Sequence, residues 1–305
     1  MKPLVLHVGE IVEPCASRYG AAFEVLAYQP GDDLPANRGE IRALIAAAPV
    51  SGALIAALPR LAVIAAFGAG VDKIDLVAAR GRGVRVANAP DPTVGCVADM
   101  AMALLLAVAR GIVAGDAVVR GGGWAFPLRP RLHHRRMGIL GLGRIGQAIA
   151  RRAVGFDMAV SYHNRSRVAG SPYRFVDSVA GLASGCDVLV VACPGGAETR
   201  HLVDAAALEA LGREGILVNI ARGSIVDEAA LIGALESGGI AGAGLDVFEA
   251  EPAVPPRLRA CANAVLMPHR GGGTIETWAE TAGTTIANIE AVLAGRAPPG
   301  LLPGF

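Results

Sequence analysis

Apolar residues along this chain come in short, nearly unbroken runs, separated by stretches where they recur every three or four residues. Runs of four to eight suit strands buried on both faces of a parallel sheet, and the spaced stretches suit helices packed on it. In the first hundred residues "LVLHV" (4–8), "SGALIAAL" (51–58), "LAVIAAF" (61–67) and "VRVAN" (84–88) are expected strands. "ANRGEIRALIAAA" (36–48) and "DKIDLVAARGRG" (72–83) are expected helices, followed by a long helix from about Gly95 to Val119 that Gly111 and Gly115 interrupt only loosely. The Gly/Pro-rich basic segment at 120–136 has the composition of a connector.

A second alternation follows it. Strands are expected at 136–140, 158–162, 187–192, 215–220, 242–248 and 264–267, with helices from Arg144, over 227–238, and from about Ile275 to Leu293. Strand and helix alternating at this spacing imply doubly wound parallel sheets, and 305 residues is long enough for two such domains.

Composition narrows the function. Hydrophobic residues make up 53% and charged residues 18%, as in a well-packed globular chain. A net charge of +1 argues against nucleic acid or an acidic membrane as partner, so any basic site must be local. The opening apolar run is cut by His7 and Glu10, too early for a signal peptide, and the longest run, 100–109, is shorter than a membrane span. Five scattered cysteines without a CxxC pair are expected to be buried thiols in a reducing cytoplasm, with no metal site.

"GILGLGRIGQAIARRA" (138–153) sets Gly141, Gly143 and Gly146 as GxGxxG between a strand and a helix. The first permits the tight turn, the second lets backbone approach a pyrophosphate, and the third lets helix and strand pack closely. The helix N-terminus then offers amide donors to phosphate. About twenty residues on, an acid usually grips the ribose of NAD, yet "YHNRSR" (162–167) carries none. Arg165 offers a multi-donor fork for phosphate and Ser166 a hydroxyl, with Asn164 and Arg167 beside them, so NADPH (NADP+) is the expected cofactor and NADH the alternative.

Three further strand ends carry reactive side chains: Arg222 in "NIARGSIVDEAAL", the acids Asp246, Glu249 and Glu251 in "GLDVFEAEP", and His269 in "LMPHRGGGT". Reducing a ketone by hydride needs a cation to orient a carboxylate and polarise the carbonyl, together with a proton donor near neutral pH. Histidine, with an ordinary pKa of about 6.5, suits the second role.

Taken in order, "FGAGVDKIDL" (67–76), "VADMAMALLLAVAR" (97–110), "VRGGGWAF" (119–126), the glycine fingerprint, "YHNRS", "VNIARGSIVDEAAL" (218–231), "GAGLDVFEAEP" (242–252) and "LMPHRGGGTIET" (266–277) resemble the D-isomer-specific 2-hydroxyacid dehydrogenase family, and within it the NADPH-dependent glyoxylate/hydroxypyruvate reductase branch. The resemblance implies two Rossmann-like doubly wound domains with the active site in the cleft between them. A flavodoxin-like substrate-binding domain would comprise residues 1–96 and 280–305, and a dinucleotide-binding Rossmann domain residues 97–279. It implies Arg222, Glu251 and His269 as catalytic residues, Glu251 being the partner of His269, and Ala69, Gly70 and Arg222 as substrate ligands. Arg144, Ile145, Cys193, Pro194, Thr199, Ile220, Asp246, His269 and Gly271 would join the fingerprint and the Asn164–Ser166 loop at the cofactor. Reduction of a small 2-oxoacid to the D-2-hydroxy acid by a homodimer is the implied activity, with Trp124 in an arm that reaches either the second subunit or the core.

Several positions depart from the family pattern. Gly272 replaces a common Ser three residues after the histidine, Arg270 a small apolar residue, Trp278 a basic one, and Gly195–Gly196 the usual Leu-Thr; Val94 stands where a Thr is usual. The alternatives are therefore a dehydrogenase for a bulkier 2-oxoacid or for NADH, and a dinucleotide-sensing binding protein of the corepressor type.

Overall fold

A computed structural model describes residues 2–305. These form two compact units, one of residues up to Thr93 together with Gly272–Phe305, the other Val94–Gly271. Residues 94–96 therefore lie in the second unit and residues 272–279 in the first, the reverse of the sequence-based division.

The first unit holds five parallel strands, β1 (Leu4–Val8), β2 (Glu24–Tyr28), β3 (Ala43–Ala46), β4 (Val63–Ala66) and β5 (Arg85–Ala87), in the order β2-β1-β3-β4-β5. Side chains alternate between faces. Leu6, Leu44 and Ile64 enter one core with helices α2 (Gly52–Ala57) and α3 (Leu76–Gly81). Val5, Ala43, Ile45 and Val63 enter the other, with α1 (Cys15–Ala22) and the last helix of the chain, Ile275–Leu293.

Two expectations are exchanged here. Residues 51–58 form α2 and not a strand, whereas β3 lies in the stretch expected to be helical. Alanine-rich apolar runs of this length fit either state, and tertiary context decides. The Ser51 side chain accepts the Leu54 N–H and starts α2, while β3 is buried along its whole length between β1 and β4. The edge strand β2 is half-exposed, and its short apolar run "VLAY" (25–28) is not among the expected strands.

The second unit holds seven parallel strands: β6 (Arg136–Leu140), β7 (Ala159–His163), β8 (Arg174–Phe175), β9 (Val188–Val191), β10 (Ile216–Asn219), β11 (Gly242–Leu245) and β12 (Ala264–Leu266). Their order is β12-β11-β10-β9-β6-β7-β8. Helices α4 (Thr93–Arg110) and α6 (Arg144–Val154) cover one face over Met137, Ile139 and Val190. Helices α7 (Val179–Ser184), α8 (Ala205–Leu211) and α9 (Glu228–Glu236) cover the other over Leu189, Val191 and Leu217. After α10 (Pro256–Ala260), the chain's final helix is α11.

The expected single helix over 95–119 is two, α4 and α5 (Ile112–Arg120), parted at Gly111, whose φ of +63° is strained for any residue with a Cβ. By length and composition α4 could cross a membrane, with 18 residues and a mean hydropathy of 1.7. Ala98, Ala101, Met102, Leu104 and Leu105 are buried in the core of the unit. Beyond α5, residues 123–132 have no regular structure and expose Trp124 (89%) and Leu128 (101%).

Candidate active site

The strand order of the second sheet reverses at β6, which pairs with β7 on one side and β9 on the other. In open α/β sheets ligands bind at such a switch point, beyond the carboxyl ends of the strands. The glycine turn follows β6 directly. At Gly141 (φ +101°) an added Cβ would collide with the Cys193 backbone after β9, and at Gly146 with the Gly141 carbonyl. Gly143 is different: a Cβ there would meet nothing within 4 Å. Gly143 is the N-cap of α6 and makes no side-chain cap hydrogen bond, so the start of the helix at Arg144 and Ile145 has open space beside its cap residue. Two glycines close the turn and the third leaves room, which fits a dinucleotide pyrophosphate.

The loop after β7 divides its labour. The Asn164 Oδ1 accepts the Leu142 N–H at 2.6 Å, so this residue braces the glycine turn. The Arg167 guanidinium lies 5.3 Å from the Phe175 ring centroid. The Arg165 guanidinium remains at the surface and pairs with Glu198 at 3.0 Å, with Ser166 exposed beside it. Opposite, Thr199 donates from Oγ1 to the Pro194 carbonyl at 2.9 Å, which shapes the turn after β9. Burial pushes the Cys193 thiol up to about 11, so it lines this turn as an unreactive group.

Arg222 begins the loop after β10. Buried Asn219 shapes that loop, its Nδ2 donating to the Arg222 carbonyl at 2.9 Å and its Oδ1 accepting the Ala221 N–H at 3.1 Å. Ile220, between them, is buried in the core. The stem of Arg222 lies against Gly195, where a Cβ would come within 2.7 Å of the Arg222 Cγ. This gives the unusual Gly195 a packing role.

The next residue, Gly223, is pressed against the Phe248–Glu249 backbone, with no space for a Cβ. Phe248 donates its N–H to Glu251 at 3.3 Å, and both oxygens of Glu251 lie 3.0 Å from the His269 Nδ1. Contact therefore runs without a gap from the Arg222 loop through Phe248 and Glu251 to His269. Because a carboxylate only accepts, Nδ1 carries the proton in this pair, and Nε2 is the ring atom turned to other work.

His269 itself sits at φ +51°. Asp246, at the end of β11, holds the following residues by accepting the N–H groups of Arg270 and Gly271, each at 2.7 Å. Burial raises the Asp246 carboxyl, while these two hydrogen bonds pull the other way. Asp246 and Gly271, expected at the cofactor, thus hold each other and fix the backbone of the histidine loop. On the far side of Glu249 lies a brace that no sequence motif announces. Arg200 donates to Glu249 at 2.8 Å, the His201 Nε2 lies 3.0 Å from the same carboxylate, and the Glu249 N–H donates to Glu228 at 3.2 Å. The unbroken "ARG" of residues 221–223 was the one signal for the Gly223 contact; nothing marked this brace.

Ala69 and Gly70 belong to the first unit, where they follow β4 in an exposed turn. Gly68 (φ +104°) opens that turn, which is pinned by Asn88 donating to the Ala69 carbonyl at 2.9 Å.

Residues 102–271 match the family model described as D-isomer specific 2-hydroxyacid dehydrogenase, NAD binding domain. The chain is 45% identical over 283 residues to a hydroxyphenylpyruvate reductase of Plectranthus scutellarioides, covering 90% of each. It is 43% identical over 268 residues to a glyoxylate/hydroxypyruvate reductase of Arabidopsis thaliana, covering 86% of each. Its fold is similar to the crystal structure of an NADPH-dependent glyoxylate/hydroxypyruvate reductase from Sinorhizobium meliloti in complex with NADP and malonate. That likeness has a TM-score of 0.95 at 36% identity and covers 100% of this chain and 98% of the other.

Proposed function

The chain belongs to the D-isomer-specific 2-hydroxyacid dehydrogenase family, and on that premise we propose that it reduces a small 2-oxoacid, glyoxylate or hydroxypyruvate, to the D-2-hydroxy acid with NADPH. The observation that carries this reading is the gapless contact linking the Arg222 loop, Glu251 and His269 in the unit that also bears the glycine turn. The dinucleotide, when bound through Gly143, the first turn of α6 and Arg165, supplies the hydride for C2 of the substrate.

The remaining steps belong to this chain's own side chains. Arg222 takes the substrate carboxylate and polarises the C2 carbonyl with its fork of donors. His269 gives the Nε2 proton to the oxygen at C2 as negative charge develops there. Glu251 keeps the ring oriented and accepts from Nδ1 throughout, which stabilises the charge changes on the imidazole. The amides of Ala69 and Gly70 are assigned to the same carboxylate, a role supported by their exposed, pinned turn at the end of β4.

The cofactor preference rests on Arg165 and on the lack of an acid at the end of β7. Steady-state reduction of glyoxylate, hydroxypyruvate and hydroxyphenylpyruvate, each with NADPH and NADH, tests the reading. The expected result is turnover of the small acids with kcat/KM at least about tenfold higher for NADPH, the size of one charge-assisted phosphate contact. A preference for NADH would remove the role of Arg165 and spare the chemistry. Binding without turnover of any 2-oxoacid would leave a dinucleotide sensor.

The working form is a homodimer in which a second copy covers the arm around Trp124. The exposure of Trp124 and Leu128, together with that of Val113 and Val119 on α5, supports this. Sedimentation equilibrium is expected to give twice the mass of the 31.0 kDa chain, and a monomer at micromolar concentration would discard the assembly.

A further inference from the structure

Arg165 and Glu198 hold each other at 3.0 Å from two segments on opposite sides of the glycine turn. Arg165 follows β7 and Glu198 lies in the short 3-10 turn Ala197–Thr199 after β9, and these are the two strands that flank β6. Both backbones are fixed. Asn164 is tied to the Leu142 N–H, and Thr199 is tied to the carbonyls of Pro194 and Gly196. The side chains, by contrast, are 89% and 79% exposed, so their ion pair is weak and readily exchanged.

We propose that Glu198 is a specificity-determining residue that competes with the 2′-phosphate of the dinucleotide for the Arg165 guanidinium, and so sets how strongly the phosphorylated cofactor is preferred. The inference rests on the assignment of Arg165 to that phosphate. A 2′-phosphate carries between one and a half and two negative charges and meets a carboxylate already seated on its cation. A plain 2′-hydroxyl carries no charge and meets no such opposition. Glu198 therefore acts on one cofactor and is silent toward the other. For a like charge several ångströms from a phosphate at a wet surface and moderate salt, its removal is worth roughly 3–10-fold in affinity.

The test is isothermal titration of the full chain with adenosine 2′,5′-bisphosphate and with 5′-AMP, for the wild type, Glu198→Gln, Arg165→Ala and the double variant. Glu198→Gln is expected to tighten the bisphosphate roughly 3–10-fold and to move 5′-AMP less than about twofold. Arg165→Ala is expected to abolish the preference for the bisphosphate, and Glu198→Gln on that background to add nothing. Equal tightening of both ligands, no change, or weaker bisphosphate binding in Glu198→Gln overturns the role of Glu198. If Arg165→Ala also loses the preference in that case, the assignment of Arg165 survives. A preference that persists in Arg165→Ala overturns both.

Discussion

His269→Gln is expected to lower kcat for 2-oxoacid reduction by about 10²–10⁴-fold, the usual contribution of a positioned general acid. The dissociation constant for the dinucleotide, read from cofactor fluorescence, is expected to stay within about twofold, because the glycine turn and the loop after β7 lie on other strand ends. The expectation follows from how the ring is held. Its Nδ1 faces both Glu251 oxygens at 3.0 Å, and Asp246 grips the two amides that follow it. A glutamine keeps polarity and bulk but has no proton to release near neutral pH. A fall in kcat of that size with cofactor affinity kept would mark the proton-transfer role, whereas a variant within tenfold of wild type would remove His269 from the reaction.

Gly223→Ala is expected to destabilise the second unit by about 3 kcal/mol, at the upper end for an overpacked site. For a unit of this size that lowers the melting temperature by roughly 6–12 °C. The added methyl has nowhere to go, since the Phe248–Glu249 backbone already occupies its place, and backbone cannot move aside as a flexible side chain can. The same displacement separates the Arg222 loop from the segment that carries Glu251, so activity falls with stability. Gly143→Ala is the control. Its methyl meets open space, so thermal stability holds while dinucleotide affinity drops. An unchanged melting temperature in Gly223→Ala would show that the two loops are not packed as described.

These residues also show what could be read from the sequence and what could not. The glycine fingerprint and the three reactive side chains stand at strand ends announced by unbroken apolar runs, and β6 and α11 fall where periodicity puts them. The exchange of α2 and β3 arose because "LIAA" occurs in both stretches, at 44–47 and 54–57, with the same local preference each time. The Ser51 cap and the strands on either side of β3 decide between them. Within the site, identity was legible, and so was the Glu251–His269 pair through the family resemblance, but the other partnerships were not. Asp246 was visible as an acid at a strand end, but its two backbone partners are 24 and 25 residues away. The Arg200–His201–Glu249 brace spans 48 and 49 residues between loops that no spacing rule connects.

The first unit is discontinuous, and this bears on the birth of the molecule. Its α1 face is completed by Ala282, Ile289 and Val292 of α11, which are synthesised only after the whole second unit. At 5–20 residues per second, the ribosome needs roughly ten to forty seconds to make the intervening second unit. Through that interval Val5, Tyr19, Phe23, Ile45 and Val63 await their cover. The second unit, continuous in sequence, can close first. The sheet of the first unit is then covered only after α11 has been made, so a message cut short within α11 would release a chain with one closed unit and one apolar face for chaperones and proteases to find.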